Sequence, residues 1–318
     1  MPHLTIGKRT ARLPIVQGGM AVRISLSPLA IAVANAGGVG IIAGSGLTSE
    51  EIVEEVRTAR EQTDGVFGVN IMVAGRKFPE LAKLAMQHGA DALFAGAGFS
   101  RDMFVWGREY GVEVVPIVGS ARVAQLSEKF GASAVVVEGY EAGGHLGTDR
   151  LMRDLLPEIV EAVDIPVIAA GGVVTGQDIA EVLDMGAAGV QMGSRFAATE
   201  ESSAPDEFKQ MYVDATDDEV VIIKSPVGMP ARGLRSPFQR RVESGEKIEM
   251  APCRSCLKQC HKDYCIIDRL ERSQRGDLET GLIFSGASAA RIHDVPKVAD
   301  LVDRLVSEYE TAVSGGAA

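Results

Sequence analysis

The sequence predicts a (β/α)8 TIM barrel followed by an appended C-terminal segment that contains a cysteine cluster. Eight short β-branched runs alternate with amphipathic helical stretches, the runs are mostly continuous in apolar character, and glycines crowd their carboxyl ends. Continuous apolar runs are typical of parallel strands buried on both faces, and eight β-α units complete a barrel. A doubly wound open sheet is the main alternative, but the GxGxxG motif that would favour it is absent after the first strand.

Each predicted strand is short and ends at or near a glycine or a small residue. The eight runs are residues 14–19, 39–44, 67–73, 92–98, 113–119, 133–139, 166–172 and 189–196. Amphipathic helical patterns lie between them. Five of these patterns stop at a glycine, where a left-handed residue ends a helix: Gly37, Gly89, Gly111, Gly131 and Gly186.

The alternation of strand and helix patterns ends after residue 200, so we predict a barrel over residues 1–200 and an appended segment over residues 201–318. The later segment is polar and is interrupted by Pro and Gly, with one strand-like run at 220–224. It has too little apolar content for a core of its own. An apolar spacing of three and four residues from Val298 to Tyr309 predicts a closing helix that packs on the barrel.

The charge balance and the lengths of the apolar runs exclude some functional classes. Thirty-two Lys plus Arg against forty-three Asp plus Glu give a formal charge of −11, which argues against non-specific nucleic-acid binding. No run of eighteen apolar residues exists, and the N-terminus lacks a signal-peptide core. We therefore expect a cytoplasmic protein that acts on a small-molecule substrate, with no membrane or nucleic-acid partner. The sequence leaves a homodimer open.

Glycines at the ends of the last two predicted strands form the most specific chemical signal. Gly171 and Gly172 end the seventh strand, and Gly193-Ser194 end the eighth. In barrels, the loops after these strands commonly bind phosphate through bare main-chain N–H groups. The alternative is that these glycines only make tight turns.

Other residues at the strand ends predict the surroundings of a flat ring. Gly18, Gly19 and Met20 after the first strand would let a planar isoalloxazine lie against the chain. Polar side chains interrupt three otherwise apolar strands, at Asn70, Glu138 and Gln191. A ligand edge would satisfy such groups, and a bond to neighbouring backbone is the alternative.

His145 is the candidate catalytic residue, since it alone among five histidines follows a barrel strand. Gly143 and Gly144 before it let the chain pass close to a ligand. A histidine titrates near neutrality and can exchange a proton beside a flavin. Alternatively, it only hydrogen-bonds the cofactor or caps the loop.

All four cysteines, Cys253, Cys256, Cys260 and Cys265, lie in C-x2-C-x3-C-x4-C. Four thiolates at short spacing predict a tetrahedral zinc site or an iron–sulfur cluster, with reduced structural thiols as the alternative. We favour a [4Fe-4S] cluster by analogy with other flavin-containing barrel reductases.

The segments IVQGGM, GVNIM, EGYEAGGH, IAAGGV and QMGSRF together resemble the nitronate monooxygenase (2-nitropropane dioxygenase) family, which includes FMN-dependent enoyl-acyl-carrier-protein reductases. The resemblance covers residues 10–245, with PARGLRSPF at 230–238 fitting its later part. It implies FMN whose ring contacts Gly19, Met20 and Asn70 and whose phosphate is held by Gly171, Gly172, Gly193 and Ser194. His145 falls on the family's AGGH histidine, the proposed base or substrate-orienting group of nitronate oxidisers. In the reductases this position lies beside the bound substrate.

We therefore expect an FMN-dependent oxidoreductase, in the first place a nitronate monooxygenase that oxidatively denitrifies alkyl nitronates with O2. The alternative is an NAD(P)H-dependent enoyl-acyl-carrier-protein or quinone reductase using the same FMN site, with acyl-carrier protein a partner only in that case. An iron–sulfur cluster would weaken the monooxygenase interpretation. A non-enzymatic flavin carrier also remains open. Nucleophilic-cysteine chemistry of the inosine-monophosphate-dehydrogenase type is excluded, because every cysteine follows residue 250.

Overall fold

Eight parallel strands close into a barrel at the predicted positions. The computed structural model describes residues 1–315. In chain order its strands are β1 (Leu4–Ile6), β2 (Arg9–Ala11), β3 (Ile15–Gln17), β4 (Gly40–Ala43), β5 (Phe67–Met72), β6 (Ala92–Gly96), β7 (Glu113–Val118), β8 (Val135–Glu138), β9 (Gly144–His145), β10 (Val167–Ala170), β11 (Gly189–Met192), β12 (Val220–Lys224) and β13 (Pro230–Leu234).

The barrel order confirms the predicted (β/α)8 fold. The sheet runs β3-β11-β10-β8-β7-β6-β5-β4, and a parallel bridge between Val16 and Val39 closes the ring beside β4. β4 and β10 are buried at every position, as expected for strands that face the barrel interior on one side and helices on the other.

The helices surround the barrel, and their ends follow the glycine pattern. They are α1 (Ser27–Asn35), α2 (Ser49–Gln62), α3 (Phe78–Gln87), α4 (Asp102–Tyr110), α5 (Ala121–Phe130), α6 (Met152–Ala162), α7 (Gly176–Asp184), α8 (Ser194–Ala197), α9 (Asp206–Val213), α10 (Pro237–Glu243), α11 (Ile266–Gln274) and α12 (Val298–Gly315). All five glycines predicted to stop helices have positive φ, from 68° at Gly111 to 114° at Gly89.

The amino-terminal end of the barrel is sealed by the β1–β2 hairpin. Leu4 and Ile6 are buried in one cluster with Val16, Phe94 and Val136 of the barrel interior. Burying such side chains stabilises the fold by about 1.5–3 kcal/mol each. The opposite end, where the strands terminate, is therefore the end open to a ligand.

The closing helix α12 packs against α7 and α1. The main-chain N–H of Gly176 donates to the Glu308 carboxylate at 2.7 Å. A Cβ at Gly176 would lie 2.2 Å from the Leu305 carbonyl oxygen, so the two helices approach as closely as only glycine allows. The domain division at residue 200 remains a prediction.

Residues 201–297 contribute β12 and β13 to a three-stranded sheet of order β12-β13-β9, in which β9 comes from the loop after β8. β13 pairs with β9 in antiparallel fashion, with Ala231 opposite His145 and Arg232 opposite Gly144. The late segment is thereby attached to the loop that carries the candidate catalytic histidine. Within residues 1–315 we find no helix with both the length and the apolar character needed to cross a bilayer.

Candidate active site

The residues predicted to bind a cofactor or act in catalysis surround one cavity at the carboxyl ends of the barrel strands. They come from different strands and meet because parallel strands end at the same rim. The cavity is lined by Gly18, Gly19, Met20, Asn70, Glu138, Gly143, Gly144, His145, Gly171, Gly172, Gln191, Gly193 and Ser194. The structure thus brings all thirteen together, and their individual roles remain predictions.

One wall of the cavity is main chain lying close to a polar side chain. A Cβ at Gly19 would lie 2.3 Å from the Asn70 Cβ, whereas a Cβ at neighbouring Gly18 would meet only ordinary contacts of 3.5 Å or more. Gly19 is therefore required for the approach of β5 to the chain after β3. This close approach places the Asn70 amide against the flat glycine segment.

The three polar side chains that interrupt apolar strands face the cavity without protein hydrogen-bond partners. Asn70, Glu138 and Gln191 all line the cavity, and none of their side chains makes a hydrogen bond to another group within residues 1–315, so the alternative of local backbone bonding is not observed. Burial raises the pKa of Glu138 to about 7. Partly buried polar groups without partners are normally satisfied by a ligand or by water. They suit the polar edge of a flavin ring.

The opposite end of the cavity offers main-chain donors. The N–H groups of Gly172, Val173 and Gly193 donate to no protein acceptor in the described chain, whereas Val174 N is already bonded to Asp178. A Cβ at Gly172 or Gly193 would have no protein atom nearer than 4.0 Å, so the space in front of this backbone is open. Ser194 Oγ accepts from Gly286 N at 2.8 Å, and its hydroxyl proton remains available. Unpaired N–H groups facing open space suit a phosphate. Together with the ring-edge groups, they fit the FMN that the resemblance implies.

His145 is held by groups from the later part of the chain. Its Nε2 lies 2.8 Å from Ser225 Oγ, directly after β12, and its ring meets Phe284 edge-on at 5.2 Å between centroids. Burial among these groups lowers the pKa of His145 to about 4. The imidazole is therefore neutral at pH 7 and can hydrogen-bond a substrate without carrying charge.

Sequence reasoning missed the contribution of residues after 200 to this cavity. Ser225, Phe284, Ser285 and Gly286 contact or line it. A Cβ at Gly143 would lie 2.7 Å from the main chain of Ser285, so the histidine loop and this segment are in direct contact. The strand at 220–224 was visible in the sequence, but no local pattern indicated its partner.

The structure does not support the predicted metal centre. Within residues 1–315 no group of three or more His, Cys, Asp or Glu side chains lies close enough to hold one ion. Cys253, Cys256, Cys260 and Cys265 are unpaired thiols on a segment without a regular helix or strand. All four thiols line one cleft beside the cavity, but no three of them are arranged to hold a single ion. A zinc or iron–sulfur site at these cysteines therefore stays a prediction that the described residues do not support.

Comparison with known proteins places this cavity in a family. A model of the nitronate monooxygenase family matches residues 3–93 and 82–308. Among curated relatives, a (3aS,4S,5R,7aS)-5-hydroxy-7a-methyl-1-oxo-octahydro-1H-indene-4-carboxyl-CoA dehydrogenase of Mycobacterium tuberculosis is 36% identical over 74% of this chain. The match spans 66% of that relative, just under two thirds of its length.

Two solved structures are similar over nearly the whole chain. FabK from Thermotoga maritima superposes with a TM-score of 0.86 at 33% identity, covering 96% of this chain and 95% of its own. A nitroalkane oxidase from Streptomyces ansochromogenes superposes with a TM-score of 0.82 at 27% identity, covering 96% and 98%. At 96% coverage, both similarities extend well beyond residue 200, into the part of the chain that completes the cavity around His145.

Proposed function

The chain belongs to the nitronate monooxygenase family and is an oxidoreductase of that family, and from this premise we propose that it uses FMN to reduce an uncharged, activated double bond or quinone with electrons from NAD(P)H. Gly19, Met20, Asn70 and Gln191 would hold the ring, and the main chain at Gly172 and Gly193 would hold the phosphate. When bound, FMN supplies a centre that accepts a hydride from one partner and returns it to another.

The charge of the inner cavity is the observation that carries this choice. Its charged side chains are Glu138, Glu141 and Arg195. Arg195 is paired with Asp294 at 2.8 Å, so the described residues offer no free cation there. An anionic reacting group would face the Glu141 carboxylate, a Glu138 carboxyl that is about half ionised at pH 7 and a neutral histidine without compensation, which is costly in a partly buried site. An uncharged reacting group avoids that cost.

His145 then orients the substrate. A neutral imidazole fixed by Ser225 can hydrogen-bond the carbonyl oxygen of an enone, quinone or thioester and polarise it for hydride addition. Its low pKa means that it is a weak base at neutral pH. We therefore assign it positioning of the substrate carbonyl, with any proton supplied from a group of higher pKa.

Nitronate oxidation is the second candidate. It is supported by the family model and by the similarity to the Streptomyces nitroalkane oxidase. In that reaction an alkyl nitronate is oxidised with O2 to a carbonyl compound and nitrite. A substrate that enters as a preformed nitronate needs no base, so the low pKa of His145 does not exclude it.

An anaerobic flavin-reduction experiment separates the two. NADPH or NADH is expected to bleach the bound flavin, and a small enone or quinone to restore its colour. A preformed nitronate, such as propyl-2-nitronate, is expected to bleach it much more slowly. Rapid bleaching by the nitronate with no response to either nicotinamide nucleotide establishes the second candidate instead. Flavin that responds to none of these compounds contradicts both.

A further inference from the structure

All four cysteines of the chain line one cleft, which adjoins the inner cavity at His145. The cleft has a volume of about 980 Å³, which is within the range of pockets that hold small organic ligands. Cys253, Cys256 and Cys260 are exposed, Cys265 is partly buried, and none of the four is paired in a disulfide. The cleft therefore presents reduced thiols to any ligand that enters it.

The Cys256 thiol is influenced by all three of the other thiols. Partial burial raises the pKa of Cys256, and negative charge on Cys265, Cys260 and Cys253 raises it further, with Cys265 acting most strongly. An electrostatic influence of this kind weakens with distance, so the other three sulfur atoms lie near Cys256. Within residues 1–315, however, no three of the thiols are arranged to hold a single ion. Their proximity therefore suits a reaction between thiols.

Cys256 and Cys265 begin the two stretches of chain that form the passage between the cleft and the inner cavity. Leu257 follows Cys256 directly and lines both spaces, and Ile266 and Ile267 follow Cys265 and also line both. The side chains of Leu257 and Ile266 are buried. Because a planar peptide unit joins each cysteine to the next residue, a shift of either thiol moves an apolar side chain of the passage wall.

These two stretches are attached to different parts of the fold. The carbonyl oxygen of Cys256 accepts from Arg76 N, in the loop after β5, at 3.0 Å. The carbonyl oxygen of Cys265 accepts from Arg269 N at 3.1 Å, in the first turn of α11. Residues 258–264 between them contain no helix or strand, so the two sulfur atoms can approach each other without breaking a regular element. A disulfide between Cys256 and Cys265 would therefore join α11 to the barrel loop across the passage.

The charge of the cleft favours an anionic reaction partner for these thiols. None of its lining residues is Asp or Glu, although the chain as a whole has a net charge of −11, and its cations are Arg76, Arg254, Lys258 and Lys262. Arg254 pairs with Glu271 at 2.8 Å, whereas Arg76 and Lys262 have no ion pair within residues 1–315. A cleft lined by one sign of charge raises the local concentration of ligands of the opposite sign.

We propose that the cleft is a thiol–disulfide exchange site, at which a small anionic disulfide such as oxidised glutathione joins Cys256 to Cys265 and thereby restricts the passage to the inner cavity. One cysteine thiolate attacks a sulfur atom of the ligand, forms a mixed disulfide and releases one ligand thiolate. The second cysteine displaces the other half of the ligand. The two cysteines thus lose two electrons and two protons, and the ligand is reduced to two thiols. An excess of small thiol reverses the reaction.

Thiol titration and peptide mass spectrometry of the full-length, FMN-loaded protein test the exchange without turnover. The reduced protein is incubated anaerobically with oxidised glutathione or with cystamine, a small cationic disulfide. We expect half of the four free thiols to disappear, with a covalent link between the peptides that contain Cys256 and Cys265. Dithiothreitol should restore the lost thiols. Oxidised glutathione should react about tenfold faster than cystamine, because the cleft attracts anions.

Charge variants test the role of the cations. The double variant Arg76→Ala and Lys262→Ala should lose most of the preference for oxidised glutathione over cystamine. A matched pair of exposed cations on α5, changed as Arg122→Ala and Lys129→Ala, should keep that preference. Equal rates for the two disulfides in the wild type would overturn the assignment of an anionic ligand.

Stopped-flow reduction of the bound flavin by dithionite measures access to the inner cavity. We expect oxidation by glutathione disulfide to slow this reduction in the wild type and in Cys253→Ser and Cys260→Ser, which keep the reacting pair. Cys256→Ser and Cys265→Ser should show the same rate before and after the treatment, because they cannot form the disulfide. Dithionite reduces flavin whatever the substrate of the protein is, so this measurement does not depend on the proposed function.

Four results would overturn the inference: a disulfide between another pair of cysteines, a mixed disulfide that the second cysteine does not displace, a rate of dithionite reduction unchanged by the disulfide, and thiols that stay unreactive because they hold iron or zinc. Metal analysis of the same samples identifies the last of these. A disulfide that slows dithionite in a protein whose flavin does not respond to NADPH leaves this inference standing while the proposed function fails.

Discussion

Ser225 is expected to hold His145 in its working position, and Ser225→Ala tests this directly. The Ser225 side chain is buried, and its oxygen lies 2.8 Å from His145 Nε2. Val227 N donates to the same oxygen at 3.4 Å. That arrangement favours donation of the hydroxyl proton to Nε2, so that His145 carries its own proton on Nδ1.

The expected loss of activity in Ser225→Ala follows from the loss of one buried hydrogen bond. Leaving a buried acceptor without its partner costs about 1–3 kcal/mol. If the bond is present in the transition state, the expected loss in kcat/KM is about 5- to 150-fold. Most of it should appear in kcat, because the altered group positions the substrate carbonyl rather than the bulk of the substrate.

The assay is stopped-flow measurement of flavin reoxidation by an enone or quinone across a range of pH. In the wild type the pKa of His145 near 4 predicts a rate without a histidine inflection between about pH 5 and 8. In Ser225→Ala, water entering the vacated space should raise that pKa and bring an inflection into this range. Ser225→Thr retains the hydroxyl and should restore most of the rate.

Ser127→Ala is the matched control, since Ser127 is equally buried but bonds only to Val123 O within α5. It should leave the pH profile unchanged even if it lowers stability. A Ser225→Ala enzyme with wild-type kcat/KM and pH profile, alongside an inactive His145→Ala enzyme, would refute the assigned role of Ser225.

Three further outcomes are expected. Gly193→Ala should fold normally, because the added Cβ meets no protein atom nearer than 4.0 Å, but it should bind FMN weakly, because that Cβ occupies the space of the phosphate. Unfolding curves test the first expectation and flavin titration the second; an unchanged FMN affinity contradicts the prediction. Gly19→Ala should lose stability by about 1–3 kcal/mol and Gly18→Ala much less, since only the former collides with Asn70, as measured by urea unfolding. Because the pKa of Glu138 is raised, the folded protein binds more protons than the unfolded one, and the free energy of unfolding of the apoprotein should fall as pH rises from about 4.5 to 7. This dependence of the unfolding free energy on pH should be weaker in Glu138→Gln, and an equal dependence in both proteins contradicts the prediction.

The barrel and the composition of its rim were predictable because their signals are local. A buried parallel strand is a short apolar run, and a glycine stop marks the end of a helix, so each β-α unit can be recognised separately. Asn70 and Gln191 stood out because a polar residue in such a run needs a partner. Convergence of these residues then follows from barrel geometry alone, since parallel strands end at one rim.

The late part of the site was not predictable, because it depends on pairing between distant segments. Nothing in the residues of β13 indicates that Ala231 will lie opposite His145, and Phe284 follows no recognisable motif. The cysteines show the opposite case. Their spacing is a strong signal along the chain, but Cys253–Cys265 span a segment without a regular helix or strand, and the metal site that the spacing predicts finds no support among the described residues.

In the proposed complex, main-chain N–H groups at the ends of β10 and β11 hold the phosphate of FMN, and Asn70, Glu138 and Gln191 contact its ring. Titration of the apoprotein with FMN and with riboflavin, followed by flavin fluorescence, tests this most directly. We expect one equivalent of FMN to bind, and riboflavin to bind at least about a hundredfold more weakly, since riboflavin lacks the group that receives two or more charge-assisted hydrogen bonds. A protein that binds neither flavin, or binds both equally, contradicts it.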